Sequence, residues 1–329
     1  MPRPVTLVSG QWADLPFETF CDKVASFGFD GVEIASWGDH MDVRAAASDP
    51  AYVAGRKEIL ARRGLKAWAL SAHLAGQCVA DPWDPRLDGF APPAAKGKPE
   101  AIRAWAAEEM KASARAARAM GCSVVTCFMG SPIWRYWYSF PQTTEEMVAE
   151  GYAEVVRLWS PILDVFDECG VRFALEVHPT EIAFDYYSAA RLLEAFRGRK
   201  TLVFNFDPSH LLWQGVDPAL FVRDFADRIY HVHMKDVKLR RDGRAGILGS
   251  HLSFGDRRRG WDFVSIGRGD VDFDAIVREL NAARYDGPLS VEWEDSGMDR
   301  EWGARESLAA VRRCDFATSG LAFDAAMRK

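Results

Sequence analysis

The chain has 329 residues, of which 48% are hydrophobic, and it carries a formal net charge of −6. Hydrophobic content at this level provides a core large enough for one big domain or for two. The acidic balance, with an isoelectric point near 5.7, gives the chain as a whole no attraction to nucleic acid or to an anionic membrane surface.

The cysteines and the N-terminus indicate a cellular compartment. None of the six cysteines forms a Cys-x-x-Cys pair, and most lie in apolar segments. We therefore expect buried free thiols of a reducing compartment. The N-terminus enters a strand without an apolar leader and cleavage site, and no apolar stretch is long enough to span a bilayer. These features together predict a cytoplasmic protein.

The first half of the chain alternates short apolar runs with segments of helical spacing. Strands are predicted over residues 5–9, 31–35, 65–74 and 123–128. Helices are predicted over 17–27, 51–63, 101–120 and 145–169, each followed closely by glycine at 28, 64, 121 and 170. Two excursions, over 81–99 and 131–144, follow predicted strands and are expected to be loops.

The second half continues the alternation, and each of its four predicted strands ends in a side chain that can bind metal. These strands carry Glu176, Asp207, His233 and Glu292 at or near their C-terminal ends. Helices are predicted between and after them, over residues 188–197, 218–227, 273–283 and 300–314, and a long loop over 238–268. Four oxygen or imidazole donors in this arrangement predict a site for one divalent metal ion.

Eight strand–helix units in strict alternation imply parallel strands joined by right-handed crossovers. We therefore predict an α/β fold, a (β/α)8 TIM barrel of eight parallel strands that forms a single domain over residues 1–329. Its long loops should lie on the C-terminal face, where barrel active sites are built. A doubly wound open sheet is the alternative, but the segment after the first strand, Ser9-Gly-Gln-Trp12, is not a phosphate-binding glycine-rich turn.

The predicted loops on that face are rich in aromatic residues, including Trp134, Trp137 and Trp261. Aromatic walls with scattered polar groups suit a sugar ring, which has apolar faces and polar edges. The same residues would also suit loops that pack on one another or on a second subunit, and the sequence leaves both interpretations open.

Five motifs together resemble the xylose-isomerase-like TIM barrel superfamily, also called the sugar phosphate isomerase/epimerase family. They are Ala174-Leu-Glu-Val-His-Pro179, Asn205-Phe-Asp-Pro-Ser-His210, His231-Val-His-Met-Lys-Asp236, Gly267-Arg-Gly-Asp-Val-Asp272 and Ser290-Val-Glu-Trp-Glu294. The superfamily includes ketose 3-epimerases, inosose dehydratases, subunits that cleave 3-keto-glycosides or C-glycosides, and a DNA repair endonuclease type.

The resemblance implies a role for each matching residue. One divalent ion is expected on Glu176, Asp207, His233 and Glu292, with Mn²⁺ first and Mg²⁺, Co²⁺ or Zn²⁺ as alternatives. Glu176 and Glu292 are also implied as the catalytic acid/base pair. The residues expected to bind substrate are His178, His210, His73, Lys235, Trp134 and Trp261. Asp236 is expected to orient His233, and His231 is either a supporting partner or simply a buried, hydrogen-bonded histidine.

The implied activity is a metal-dependent sugar isomerase or epimerase that abstracts a proton beside a carbonyl, through a metal-stabilised enediolate. The alternative is a lyase or hydratase, acting on a 3-keto-glycoside or like an inosose dehydratase, because the same proton removal starts β-elimination. The expected partners are a small-molecule sugar and further copies of the chain, with a small second subunit under the lyase interpretation. DNA repair is disfavoured because the chain has no Asp-x-His pair and no basic balance, and the complete ligand set argues against a purely structural barrel.

Overall fold

Eight parallel strands close into a barrel in the computed structural model, which describes residues 2–320 and 324–327. In chain order the barrel strands are Val5–Val8 (β1), Gly31–Ala35 (β2), Lys66–Ser71 (β3), Val124–Cys127 (β4), Arg172–Glu176 (β5), Leu202–Phe206 (β6), Ile229–Met234 (β7) and, after a two-stranded insertion, Leu289–Val291 (β10). Each strand pairs with its neighbours in sequence, and β10 closes the barrel onto β1. The predicted TIM barrel is confirmed.

Helices surround the barrel and cover its outer surface. They are Phe17–Phe27 (α1), Val43–Ser48 (α2), Pro50–Ala61 (α3), His73–Ala80 (α4), Pro99–Met120 (α5), Glu145–Cys169 (α6), Tyr186–Ala195 (α7), Pro208–Leu212 (α8), Pro218–Asp224 (α9), Phe273–Ala282 (α10) and Arg300–Cys314 (α11). As predicted, α1, α5 and α6 end at Gly28, Gly121 and Gly170, all in the left-handed conformation that glycine adopts without steric cost.

The two faces of each barrel strand carry different side chains because successive residues point to opposite sides. On β5, Phe173 and Leu175 belong to the large core between barrel and helices. Ala174 instead joins a small separate cluster with Ala69, Val124 and Val203, which fills the barrel interior. Glu176, two residues after Ala174, therefore points to the same interior side, and the catalytic candidates on the other strands follow this alternation.

The strand predicted over residues 65–74 ends earlier, at Ser71, and α4 begins at His73. This helix packs tightly on the end of β4: a Cβ at Gly76 would lie 2.1 Å from the carbonyl oxygen of Phe128. The glycine thus permits an approach that any larger residue would prevent. The apolar run was extended too far because a short buried helix and a strand have similar composition.

The loop predicted over residues 238–268 contains an antiparallel hairpin, formed by Asp236–Leu239 (β8) and Trp261–Val264 (β9). A further short helix, α8, follows β6 directly. Its start is set locally, because the Asp207 carboxylate accepts the Ser209 N–H and Pro208 occupies the first turn, where proline needs no N–H partner. Both elements lie at the C-terminal ends of barrel strands and so contribute to the rim of the candidate site.

The cysteines and the helices agree with two expectations from the sequence, free thiols and the lack of a membrane-spanning segment in the described residues. All six cysteines are free, and four of them are buried. Over residues 2–320 and 324–327, no helix is both long enough and apolar enough to cross a membrane.

Candidate active site

Three carboxylates converge at the C-terminal end of the barrel. Glu176 is the last residue of β5, Asp207 follows β6 directly, and Glu292 follows β10 directly. With His210 of α8, each offers a donor atom, and these four atoms all lie within 4.8 Å of one another. Because parallel strands bring their carboxyl ends to one face of a barrel, residues up to 116 positions apart in sequence (176 to 292) meet in one cluster.

Glu176 is the most heavily contacted of the three. Its Oε2 lies 3.1 Å from His233 Nδ1 and 3.2 Å from His73 Nε2, while its Oε1 lies 3.2 Å from His210 Nε2. Asn205 donates to Oε2 at 2.9 Å. Burial by itself would raise the pKa of Glu176, but hydrogen bonds from His210, His233 and His73 hold that pKa well below its usual value. The carboxylate is therefore ionised near neutral pH.

Glu292 is ionised for a different reason, because it is paired with a buried ammonium group. Lys235 Nζ lies 3.1 Å from Glu292 Oε2 and 2.8 Å from Glu294 Oε2. Burial would raise the pKa of Glu292, but the charges of Lys235 and His233 lower it. For Lys235, burial would lower the pKa, but Glu292 and Glu294 raise it well above its ordinary value. Gln11 from the first strand–helix loop also donates to Glu292, at 3.1 Å.

Asp207 has one oxygen engaged and one without a hydrogen bond. Its Oδ1 accepts the backbone N–H and the hydroxyl of Ser209, at 2.8 and 2.6 Å. Its Oδ2 is buried and makes no hydrogen bond with any of residues 2–320 and 324–327, and the same is true of His210 Nδ1. Burial raises the pKa of Asp207 to about 6. A buried carboxylate oxygen without a hydrogen bond is stabilised by a positive charge close to it, which a bound cation would provide.

The donor set fits a single divalent cation. Three carboxylates and at least one imidazole are the ligands that Mn²⁺ and similar ions accept, and they differ from the thiolates of a closed structural zinc site. Both His210 and His233 are placed to complete the set: His233 Nδ1 is 3.2 Å from Glu292 Oε2, and His210 Nε2 is 3.6 Å from Asp207 Oδ2. Glu176, Asp207 and Glu292 thus lie together with His210, while His233 contacts Glu176 and Glu292.

His233 is oriented by a carboxylate that the sequence reasoning missed. Its Nε2 lies 3.1 Å from Glu33 Oε2, and Glu33 is fully buried in β2. The expectation that Asp236 orients His233 was wrong. Asp236 accepts backbone N–H groups from Val237, Gly267, Gly269 and Val271 instead. Strand alternation explains the error, because residue 235 shares the interior side with residue 233 and residue 236 points away.

A signal for Glu33 was present in the sequence. β2 reads Gly-Val-Glu-Ile-Ala, and an acidic residue at the centre of a short apolar strand is seldom buried without partners. Other missed residues are Asn205, Gln11 and Glu294. Their contacts cross between non-adjacent parts of the chain, so no local pattern marks them.

Two further predicted substrate residues lie beside the carboxylates. His73 stands at the start of α4, its Nδ1 2.7 Å from the Ser71 hydroxyl and its ring in edge contact with Phe128. His178 is half-buried, with its ring centroid 4.0 Å from that of His210. Burial and the neighbouring His210 hold the pKa of His178 well below its usual value, so this imidazole is neutral at pH 7. Its Nδ1 makes no hydrogen bond with any residue that the structure describes.

Aromatic residues form two groups on the loops that follow barrel strands. On one side, Trp134 and Trp137 pack against Phe184, with centroids 5.5 and 4.9 Å apart. On the other side, the β8–β9 hairpin presents Phe263, whose ring lies 4.2 Å from Lys235 Nζ and 5.2 Å from the ring of His210. Phe263 was not among the predicted residues, yet it is an aromatic contact of the cluster itself.

Trp261 is engaged inside the hairpin region. Only 9% of its surface is exposed, and its ring stacks on Trp213 at 4.5 Å with an 8° interplanar angle. The guanidinium of Arg259 lies 4.5 Å from the Trp261 ring centre, and the indole N–H donates to the carbonyl of Ile247. These contacts leave little of the ring for a ligand, so its role in substrate binding stays a prediction.

Comparison with known proteins gives a family for the chain. The family described as "Xylose isomerase-like TIM barrel" matches residues 21–314. The matched range includes all the carboxylates of the site and every barrel strand other than β1. The chain belongs to this family. The match agrees with the resemblance carried by the five motifs.

Curated relatives match only part of the chain. The uncharacterized protein YfiH of Bacillus subtilis is 31% identical over 192 residues, which cover 55% of this chain and 60% of YfiH. An inosose dehydratase of Clostridium beijerinckii is 35% identical over 166 residues, covering 50% of this chain and 52% of the dehydratase. The chain therefore spans about half to three fifths of the length of these relatives.

Solved structures share the fold over nearly the whole chain. The 3-keto-D-glucoside 4-epimerase YcjR from E. coli superposes with a TM-score of 0.67 and 17% identity, covering 95% of this chain and all of that one. Identity at this level shows a common architecture alone. The chain thus shares its architecture with a sugar epimerase and part of its sequence with an inosose dehydratase.

Proposed function

We propose that the chain is a divalent-metal-dependent isomerase or epimerase that acts on a sugar or related polyol by removing a proton beside a carbonyl group. The observation that carries the proposal is the convergence of Glu176 and Glu292 on one point. One oxygen of each lies 3.1–3.2 Å from the same atom, His233 Nδ1. Two ionised carboxylates held this close supply both a base and, after one proton transfer, an acid.

The residues that would hold the cation are Glu176, Asp207, Glu292 and His233, with His210 as the rival imidazole. A bound divalent cation polarises a carbonyl oxygen and stabilises the negative charge that forms when a neighbouring C–H bond is broken. Asp207 supports this assignment because its Oδ2 is buried and makes no hydrogen bond in the described part of the chain.

The two glutamates would move the proton. Both have lowered pKa values, so each is ready to accept a proton from carbon. In an epimerisation or isomerisation, one carboxylate takes the proton from the substrate carbon and a proton is then returned to the same or the adjacent carbon. The side chains next to the two glutamates would bind the substrate hydroxyls and exclude water; they are His73, His210 and Lys235.

The remaining substrate contacts are assigned by position. His178 and His210 would donate to substrate oxygens from the α8 side, and Lys235 would contact an oxygen beside Glu292. Trp134 would contribute an apolar wall from the β4 loop. Trp261 would act, if at all, by supporting Phe263, because their ring centroids are 5.1 Å apart.

A lyase is the second candidate, and two observations favour it. One relative is named an inosose dehydratase. In addition, Lys235 Nζ and His210 Nε2 lie 3.4 Å apart, so two proton donors stand next to the carboxylates. When the substrate carries a leaving group β to the carbonyl, the electron pair from the broken C–H bond expels it. The departing oxygen would then take a proton from one of these side chains.

Proton NMR in D₂O distinguishes the two activities. The metal-supplemented protein would be incubated with free ketoses, a 3-keto-glycoside and an inosose. For the isomerase or epimerase we expect a free ketose to give its epimer or aldose with deuterium at one carbon. Loss of an aglycone or of water, with free ketoses inert, would replace the first choice with the lyase. Neither deuterium uptake nor loss of an aglycone or of water, in any substrate class, would overturn both.

A further inference from the structure

Glu33 occupies the centre of the barrel and contacts side chains from three other strands. It is fully buried. Its Oε2 accepts from His231 at 2.7 Å and from Ser290 at 2.8 Å, and its Oε1 accepts from Thr126 at 2.5 Å. His233 Nε2 lies 3.2 and 3.1 Å from the two oxygens. Strands β4, β7 and β10 are therefore all tied to this one carboxylate of β2.

These contacts show a hydrogen-bond centre rather than a second cation site. Glu33, His231 and His233 have donor atoms close enough to hold an ion, but the carboxylate already accepts two hydroxyl protons, from Ser290 and Thr126. A carboxylate has about four acceptor positions, and here the two hydroxyls and two imidazoles occupy them. Since every position faces a donor, Glu33 has no need of a proton or a metal.

The arrangement determines which nitrogen of His233 carries hydrogen. Nε2 faces only the ionised Glu33 among the charged groups it contacts, so Nε2 must carry a proton and donate it. In the neutral imidazole the other nitrogen, Nδ1, then holds a lone pair. Nδ1 is the atom directed at Glu176 and Glu292. A cation between these groups would therefore meet a lone pair and two carboxylate oxygens.

We propose that Glu33 is a positioning residue that fixes His233 as the Nε2–H tautomer and so makes His233, rather than His210, the imidazole ligand of the divalent cation. This inference rests on the proposed function, because it presumes the metal site. Among the residues that the structure describes, His210 has no equivalent support: its Nδ1 is buried without a hydrogen bond, and no carboxylate there fixes that nitrogen. His210 thus stays available for substrate.

The substitution Glu33→Gln tests the idea with little change in volume. Glutamine replaces one of the two acceptor oxygens with an NH₂ group that can only donate, and it removes the negative charge, so the hydrogen on His233 Nε2 loses its charge-assisted acceptor. Loss of such a supporting partner typically weakens metal affinity about 10–100-fold. Thr126→Val and Ser290→Ala are matched controls, because each removes one donor to the same carboxylate and leaves the contact with His233 in place.

The measurement is Zn²⁺ affinity of the full chain, by competition with a fluorescent chelator at fixed pH. We expect Glu33→Gln to bind Zn²⁺ about 10–100-fold more weakly than the original protein, and both controls to change affinity less than about threefold. Equal affinity in Glu33→Gln, or an equal loss in the controls, would overturn the positioning role and leave the proposed function standing. Failure of the original protein to bind the ion would reject both, which separates the two failures.

A second readout needs no substitution and so does not depend on the variant folding. Histidine labelled with ¹⁵N would be introduced into the Zn²⁺-loaded protein, and the two ring nitrogens of His233 would be assigned by NMR. The expected spectrum shows hydrogen on Nε2 and the metal on Nδ1. Hydrogen on Nδ1, or metal coordination at His210 with His233 unaffected, would contradict the inference.

Discussion

Replacing Lys235 should destabilise the protein strongly, because the change leaves carboxylates buried without their cation. Lys235 is 4% exposed at the side chain and lies 3.1 Å from Glu292 and 2.8 Å from Glu294. Methionine has nearly the same length and no charge, so Lys235→Met removes the ammonium group with little change in packing.

The magnitude follows from the Glu292 pair. At 3.1 Å and an effective dielectric constant of about 20, the attraction is about 5 kcal/mol. The variant no longer carries the desolvation free energy of the ammonium group, but the desolvation free energy of the Glu292 carboxylate is no longer offset by a nearby positive charge. The net loss on removing one partner of a buried pair is about 3–5 kcal/mol. The Glu294 contact adds little, since that side chain is 35% exposed and solvent screens it.

The assay is urea unfolding in the presence of a chelator, so that no cation replaces the lysine. Lys238→Met is the matched control, because Lys238 pairs with Asp270 at 2.6 Å on the surface, with the side chains 49% and 34% exposed. The control should lose less than about 1 kcal/mol. A loss below about 1 kcal/mol in Lys235→Met, or equal losses in the two variants, would refute the reasoning.

Three further predictions follow from the site and its surroundings. Glu176→Gln and Glu292→Gln should each lower turnover by about two orders of magnitude or more at saturating metal, while the exposed Glu194→Gln changes it little; near-normal turnover in either site variant would refute the acid/base roles. Burial and the charge of Asp81 raise the pKa of Glu181 from 4.5 to about 8, so the folded protein keeps a proton there that the unfolded chain releases. Stability should therefore fall as pH rises from about 4.5 to 8, and Glu181→Gln should reduce that slope in urea unfolding; parallel curves for the two proteins would contradict this. Trp134→Ala should raise KM, and the loss of binding free energy calculated from KM should exceed the loss of unfolding free energy. Trp302→Ala, on a side chain 64% exposed on α11, should alter neither. An unchanged KM would remove Trp134 from the substrate pocket.

The barrel and its carboxylates were predictable because both follow from local pattern. Short apolar runs separated by helical segments identify parallel strands, and the closing of such strands brings their carboxyl ends together. Glu176, Asp207 and Glu292 could therefore be placed in one site without knowing any distance between them. His233 followed from the same argument.

Contacts that depend on register and barrel stagger could not be predicted in the same way. Glu33 and His233 are 200 positions apart, on strands that are not paired with each other, and they meet only across the barrel interior. The sequence suggested the nearby Asp236 instead, because a neighbour in sequence is the simplest partner to propose. His210 was expected in the site only as a substrate-binding residue, because α8 was not predicted and its closeness to Glu176 and Asp207 could not be anticipated.

The loops were the least predictable part of the site. Trp261 was expected to face a sugar, but β9 pairs with β8 and brings this ring onto Trp213. Phe263, two residues further along the same strand, is the ring that approaches Lys235. Alternation along a strand would have distinguished the two residues, but a polar, glycine-rich segment gave no sign that a hairpin forms there.

Anomalous scattering from crystals grown with Mn²⁺ locates the ion without reference to any substrate. We expect one peak per chain, within bonding distance of Glu176, Asp207, Glu292 and His233 Nδ1. Absence of a peak in this cluster at saturating Mn²⁺, or a peak bound elsewhere on the chain, would contradict the claim that this barrel is a metal-dependent enzyme.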